Sequence, residues 1–146
     1  MTTPELQQAS PYTTLDLEGV RTVIASLPAI AARLGGTPAE WRVWEVSDGN
    51  LNMVFVAEGP EGGVCLKQAL PHVRVDPAWK MPLDRTFFEA AYLRAVFPHV
   101  PDLTTECLHF DPEQVYSDCS QPVRAHCDAY RHDGWPLSPR CGRSGG

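Results

Sequence analysis

The sequence predicts an α+β domain, with an antiparallel β-sheet, helices before it and one further helix after it. Three observations predict this fold. Apolar residues recur at helical spacing between positions 17 and 34, three runs rich in β-branched and aromatic residues follow between 41 and 70, and a second helical pattern spans 83–97. The 146 residues and 43% hydrophobic content fit one domain with a modest core.

The N-terminal helical region follows a polar stretch, 1–11, that we expect to be flexible. Thr14 is the candidate N-cap, and Asp16 and Glu18 would lie in the first turn, where a helix favours negative charge. Pro28 interrupts the helical pattern, which resumes and then ends at Gly35 and its neighbouring glycine. We expect these helices to cover one face of the sheet, because they are too short and too poor in basic residues to favour a membrane anchor.

Three strands are predicted at 41–46, 51–56 and 64–70. Asp48, Gly49 and Asn50 give a turn signal between the first two, and a cluster of turn formers at 58–63 reverses the chain again. The expected product is a three-strand meander.

The second half of the domain is predicted as a linker, a helix and a strand. Residues 71–82 are expected to be irregular, with Arg74 as an exposed cation and Trp79 as an apolar plug. A strand is expected at 104–110. The helix at 83–97 should bury an apolar stripe made of Phe88, Ala91, Tyr92, Ala95 and Val96.

Three residues of these elements suit a nucleotide phosphate site. A glycine in a tight turn, Gly49, lets backbone N–H groups approach phosphate oxygens. Lys67 would supply a positive charge, and Glu89 on the next helix could hold its ammonium in place. On spacing alone the plainer interpretation is favoured: Asp-Gly-Asn is a common hairpin turn, a strand lysine is usually solvated, and Glu89 could pair locally with Arg85.

A family resemblance changes that balance. Residues 48–55 (DGNLNMVF), 67–74 (KQALPHVR) and 79–89 (WKMPLDRTFFE) resemble three successive signatures of the S-methyl-5-thioribose kinases. These are ATP-dependent sugar kinases of methionine salvage, with a protein-kinase-like fold. Lys80 and Pro82 depart from the family pattern, and the resemblance covers roughly residues 12 to 112.

The resemblance implies that residues 12–114 form a protein-kinase-like small lobe, in which 83–97 is the αC-type helix, without the C-terminal lobe. It implies ATP contacts at Gly49, Asn50 and Asn52, with Lys67 as the phosphate-binding lysine and Glu89 as its partner. S-methyl-5-thioribose is the implied sugar substrate, and family members are often homodimers.

The resemblance also implies what this sequence lacks. Family members need Mg²⁺ and a catalytic aspartate in a His-Gly-Asp-Leu-His type segment, and neither that segment nor the metal-binding Asp-Pro-Glu segment is expected here. The letters recur at 111–113, but they follow a small-lobe strand and no catalytic loop precedes them. We therefore predict no catalytic residue and no metal ligand, and no phosphoryl transfer by this chain alone. The alternative is a non-catalytic nucleotide-binding or protein-interaction module derived from such a lobe.

The tail at 115–146 differs in composition from the rest of the chain, with three of the five cysteines and no lysine or glutamate. We expect it to be disordered. Codons compatible with residues 131–145, shifted by one nucleotide, permit a translation that resembles the family's continuation. We therefore hypothesise a frameshift, which sequencing of the gene would test.

Charge and residue spacing narrow the remaining function classes. A net charge of −6 and a pI near 5.2 argue against nucleic acid or an anionic membrane as the default partner. There is no apolar run long enough to span a bilayer, so a cytoplasmic location is expected. The cysteine and histidine spacings match no recognised zinc pattern, so no metal site is predicted.

Overall fold

A computed structural model describes residues 12–46, 49–114 and 116–120, the last five by their backbone alone. Its α-helices are α1 (Leu17–Ser26), α2 (Pro28–Leu34) and α3 (Arg85–Val96), and a 3₁₀ helix spans Pro38–Glu40. The strands are β1 (Arg42–Val46), β2 (Asn52–Glu58), β3 (Gly63–Ala69), β4 (His72–Val73), β5 (Asp76–Lys80), β6 (Cys107–Asp111) and β7 (Tyr116–Ser120).

Five strands form one antiparallel sheet in the order β1-β2-β3-β7-β6. The first three are the predicted meander, so the α+β class and the antiparallel sheet are confirmed. Strand β7 lies between β3 and β6, although it is the last of the described strands in sequence order. The sheet therefore continues past the predicted domain boundary at residue 114, and the expectation of disorder does not hold for residues 116–120. The expectations for 1–11 and 121–146 concern positions outside the described residues.

The two N-terminal helices begin and end at residues with clear local reasons. Asp16 is the N-cap of α1, because its Oδ1 accepts a hydrogen bond of 2.7 Å from the Gly19 amide, so the expectation of Thr14 was wrong by two residues. Pro28 begins α2, where its missing N–H costs nothing. Gly35 ends α2 with a φ of 68°, a backbone conformation that favours glycine.

The main core lies between these two helices and one face of the sheet, as the sequence predicted. Each large apolar side chain that is fully buried there contributes about 1.5–3 kcal/mol to stability. The buried members of the cluster are Val20, Ile24, Ile30, Leu34, Trp41, Phe55, Ala57, Val64 and Leu66.

Helix α3 packs on the sheet through a different face from the one predicted. Thr86 and Ala90 are buried, and Ala90 forms a second small cluster with Cys107. Phe88 and Tyr92, expected to be buried, are 63% and 60% exposed. The small side chain of Ala90 allows close approach to β6, and the helix turns its aromatic side chains outward.

Two expectations for residues 71–82 were also wrong. The segment is not irregular, because β4 and β5 pair as a separate two-stranded antiparallel sheet. Trp79 does not act as a plug, since it is 63% exposed.

Candidate phosphate-binding site

Lys67 lies on β3, a strand paired on both sides. Its Cα partners are Val54 on β2 and Ser117 on β7. Side chains alternate along a strand, and the neighbours Leu66 and Gln68 are buried on the face that α1 and α2 cover. Lys67 therefore points to the opposite face, and its side chain is 30% exposed.

Glu89 of α3 meets Lys67 on that face. The Lys67 Nζ donates a hydrogen bond to the Glu89 Oε1, and the carboxylate side chain is 38% exposed. The local alternative, an Arg85–Glu89 pair, is not the arrangement found, because the Arg85 guanidinium donates to other groups. The structure thus brings Lys67 and Glu89 together across 22 positions of sequence.

In the turn before β2, the backbone at Gly49 lies very close to the backbone of Asn52. A Cβ atom at this position would lie 2.5 Å from the carbonyl oxygen of Asn52, which is closer than real Cβ contacts allow. Glycine is therefore required here by the approach of the backbone to itself. The neighbouring Asp48, which the sequence placed in the same turn, lies outside the described residues.

Backbone hydrogen bonds hold the rest of this turn in place. The Asn50 carbonyl accepts from the Arg74 amide at 2.8 Å, and the Leu51 carbonyl accepts from the Leu70 amide at 3.0 Å. Arg74 also forms a 2.7 Å ion pair with Glu45 of β1, and both side chains are about one-third exposed. Arg74 is thus not the exposed cation that was expected, since it links the segment after β4 to β1 and the turn.

Arg85, the first residue of α3, is the site residue that the sequence reasoning missed. Its guanidinium donates to the carbonyl oxygens of Leu51, Leu70 and Pro82, and it lies 3.5 Å from the Asn52 Oδ1. Burial lowers the pKa of the Arg85 guanidinium below its ordinary value. An arginine at the predicted start of a helix was the one sign of these contacts that the sequence contained.

Tyr12 contacts the same end of β3, donating its hydroxyl to the Ala69 carbonyl at 2.8 Å. Burial raises the pKa of Tyr12 above 10.0. The end of β3 is thus held by side chains from two distant parts of the chain.

These parts make an arrangement suited to an anion. A primary ammonium lies on the sheet face, a carboxylate from α3 fixes it, and a glycine-containing turn is braced beside the end of the same strand pair. Preorganised donors of this kind can stabilise phosphate oxygens.

Comparison with known proteins shows where this arrangement belongs. Methylthioribose kinase 2 from Oryza sativa is 40% identical over 106 residues, which are 72% of this chain and 25% of that protein. Methylthioribose kinase 1 from the same plant is 42% identical over 98 residues, covering 66% of this chain and 23% of the relative. The Escherichia coli methylthioribose kinase is 52% identical over 56 residues, or 38% of this chain and 13% of that enzyme.

The chain belongs to the methylthioribose kinase family. It spans about a quarter of the length of the rice kinases that it matches. No protein-family model matches the sequence. Its mixed helix and antiparallel-strand architecture is that of a kinase-like small lobe.

The described part of this methylthioribose kinase family member does not fit a Mg²⁺ site. Within residues 12–46 and 49–114, no three His, Cys, Asp or Glu side chains are grouped so that they could hold a metal ion. Asp111 instead accepts from the amides of Glu113 and Gln114 at 2.8 and 2.9 Å, so its Oδ1 stabilises a turn. As for membranes, none of the helices in the described ranges combines the length and apolar character needed to cross a bilayer.

Proposed function

We propose that this domain is the ATP-binding small lobe of a cytoplasmic methylthioribose kinase. Such an enzyme converts ATP and S-methyl-5-thioribose to ADP and S-methyl-5-thioribose 1-phosphate in methionine salvage. The observation that carries the proposal is the Lys67–Glu89 ion pair between β3 and α3.

The ion pair supports phosphate binding because of what surrounds it. The chain has a net charge of −6, so a triphosphate gains attraction only from a local positive group. The Lys67 side chain is 30% exposed and so is partly accessible to a ligand, while Glu89 occupies one of the three donors of its ammonium. A preordered ammonium loses less entropy on binding than a free surface lysine would.

The register of the sheet supports a place for the base beside the phosphates. Val54 is the Cα partner of Lys67, and Val56 is the partner of Cys65, so these side chains share one face of the sheet. Val56 is fully buried, so the partly exposed Val54 side chain is the one of these two that can offer an apolar surface of the kind that adenine rings contact. Gly49, Asn50 and Asn52 lie where β2 begins, and we propose their backbone and side-chain groups as the partners of the phosphates.

The proposal assigns binding, and no transfer step, to these residues. Mg²⁺, when bound in such kinases, offsets the charge of the phosphates. Because the described residues do not provide a metal site, no step through the ion is assigned to them. We expect the 146-residue chain to bind ATP without turning it over.

Two measurements on the purified chain test this proposal. Calorimetric titration with ATP and with adenosine should show tighter binding of ATP, because the ammonium and the turn face the phosphates. A coupled ADP-release assay with S-methyl-5-thioribose should show no turnover. Absence of ATP binding would refute the proposal, and sugar-dependent turnover would contradict the limit to binding.

A protein-interaction module is the second candidate function. Phe88 and Tyr92 are 63% and 60% exposed and lie four residues apart on α3, so they share one face of the helix, and exposed apolar surface of this kind can bind a partner protein. A folded chain without affinity for ATP would favour this candidate.

A further inference from the structure

We propose that Arg85 is a positioning residue that sets the turn at 49–52 at a fixed distance from the Lys67 ammonium. The inference rests on the proposed nucleotide binding and adds to it a residue that does not itself contact the phosphates. Through this one side chain, phosphate binding would depend on the position of α3.

The contacts of Arg85 join three separate segments. Its guanidinium donates to the Leu51 carbonyl at the end of the turn, to the Leu70 carbonyl at 2.9 Å just after β3, and to the Pro82 carbonyl before α3. The planar guanidinium carries five N–H donors in a rigid fork, so one arginine can hold several carbonyl groups in fixed relative positions. A lysine ammonium has no comparable fork.

The surroundings of Arg85 indicate that these contacts are structural ones made at a cost. Its guanidinium donates hydrogen bonds to uncharged oxygens, and its Nε atom is buried with no hydrogen-bond partner among the described residues. The guanidinium is partly buried, and the nearby Asp84 and Glu89 carboxylates offset part of the cost of burying its charge. The geometry therefore points to a positioning role and not to a surface charge.

Helix α3 connects this contact to the phosphate-binding lysine. Arg85 and Glu89 are four residues apart, so they lie one above the other on the same face of the helix. Arg85 holds the turn, and Glu89 holds Lys67. A displacement of the helix would move the Arg85 contact and the Glu89 contact together, so the turn and the Lys67 ammonium would keep their relative positions.

Arg85→Met tests the inference, because methionine keeps much of the side-chain length and removes every donor. Arg94→Met is the matched control, since Arg94 is an exposed arginine of the same helix. The first measurement is amide hydrogen exchange of the free protein. We expect faster exchange in the peptide that covers 49–53 and unchanged exchange in residues 20–24 of α1.

The second measurement compares ATP with adenosine. Loss of the positioning should weaken ATP binding by about tenfold, which corresponds to about 1.4 kcal/mol of binding free energy. Adenosine affinity should stay within about twofold of the wild type, because the turn faces phosphates and not the base. The ATP affinity of Arg85→Lys should lie between those of the wild type and Arg85→Met, since lysine retains the positive charge and lacks the planar fork of donors.

The results separate this inference from the proposed function. If the wild type does not bind ATP, the proposed function fails, and the exchange measurement alone decides whether Arg85 orders the turn. If Arg85→Met changes neither exchange nor ATP affinity, the inference is overturned. Equal losses of ATP and adenosine affinity would also overturn it, because they would indicate a general loss of structure. Should Arg85→Met fail to fold, the same comparisons on Arg85→Lys decide.

Discussion

Replacement of Lys67 by methionine should separate ATP affinity from stability. Methionine keeps the aliphatic stem on β3 and removes the ammonium. Charged hydrogen bonds contribute about 1.5–3 kcal/mol, so we expect ATP to bind about 10- to 100-fold more weakly. The ion pair itself stabilises the fold less, because its side chains are 30% and 38% exposed. Its loss should cost about 0.2–1 kcal/mol, in the range measured for solvent-screened pairs.

Two assays on the Lys67→Met variant measure its ATP affinity and its stability. Isothermal titration with ATP and with adenosine gives the affinities, and urea unfolding gives the free energy of unfolding. Lys80→Met is the matched control, because Lys80 is the other lysine of the sequence and is exposed on β5. Higher salt should weaken ATP binding more in the wild type than in the variant, since the lost contribution is electrostatic. Wild-type ATP affinity in Lys67→Met would refute the assignment of this lysine to the phosphates.

Three further substitutions test other parts of the structure. Gly49→Ala should reduce ATP affinity with little change in adenosine affinity, because its Cβ would lie 2.5 Å from the Asn52 carbonyl oxygen and displace the turn; the same titrations measure this. Gln68→Leu should lower the free energy of unfolding by about 2–4 kcal/mol in a urea titration, because the fully buried amide bonds to three backbone groups that would lose their partner. An unchanged urea midpoint would contradict that role. Tyr12→Phe should cost about 1 kcal/mol at pH 7 through loss of the bond to Ala69. Since the folded state raises the pKa of Tyr12 above 10.0, its stabilisation is complete below pH 10.0 and is lost above it. The difference between wild type and Tyr12→Phe should therefore shrink as the pH rises past 10, and a difference that stays constant would disprove the assignment.

Local sequence features predicted much of this small lobe. The two hairpin turns, the break at Pro28 and the helix end at Gly35 were confirmed, because each depends on the conformational limits of one or two residues. The Lys67–Glu89 contact also agrees with the hypothesis from the sequence. Its role in binding ATP stays a prediction.

Other features of the fold could not be predicted from the local sequence. The composition of the tail gave no reason to expect β7 between β3 and β6, because strand pairing over a long separation depends on partners that are absent from the local pattern. The apolar stripe expected on α3 was wrong for a similar reason. Helical periodicity gave several possible buried faces, and contact with Cys107 of β6 selected the face that contains Ala90.

The sequence by itself determined where β1, β2 and β3, the turns between them and the three α-helices form, and which lysine and glutamate could meet. Only the tertiary structure decided that Arg85 holds three backbone carbonyls, that Arg74 is paired with Glu45, and that the aromatic side chains of α3 face outward. The physical reason is that backbone conformation depends on nearest neighbours along the chain. The partner of a guanidinium or the buried face of a helix depends on which distant segments fold against it.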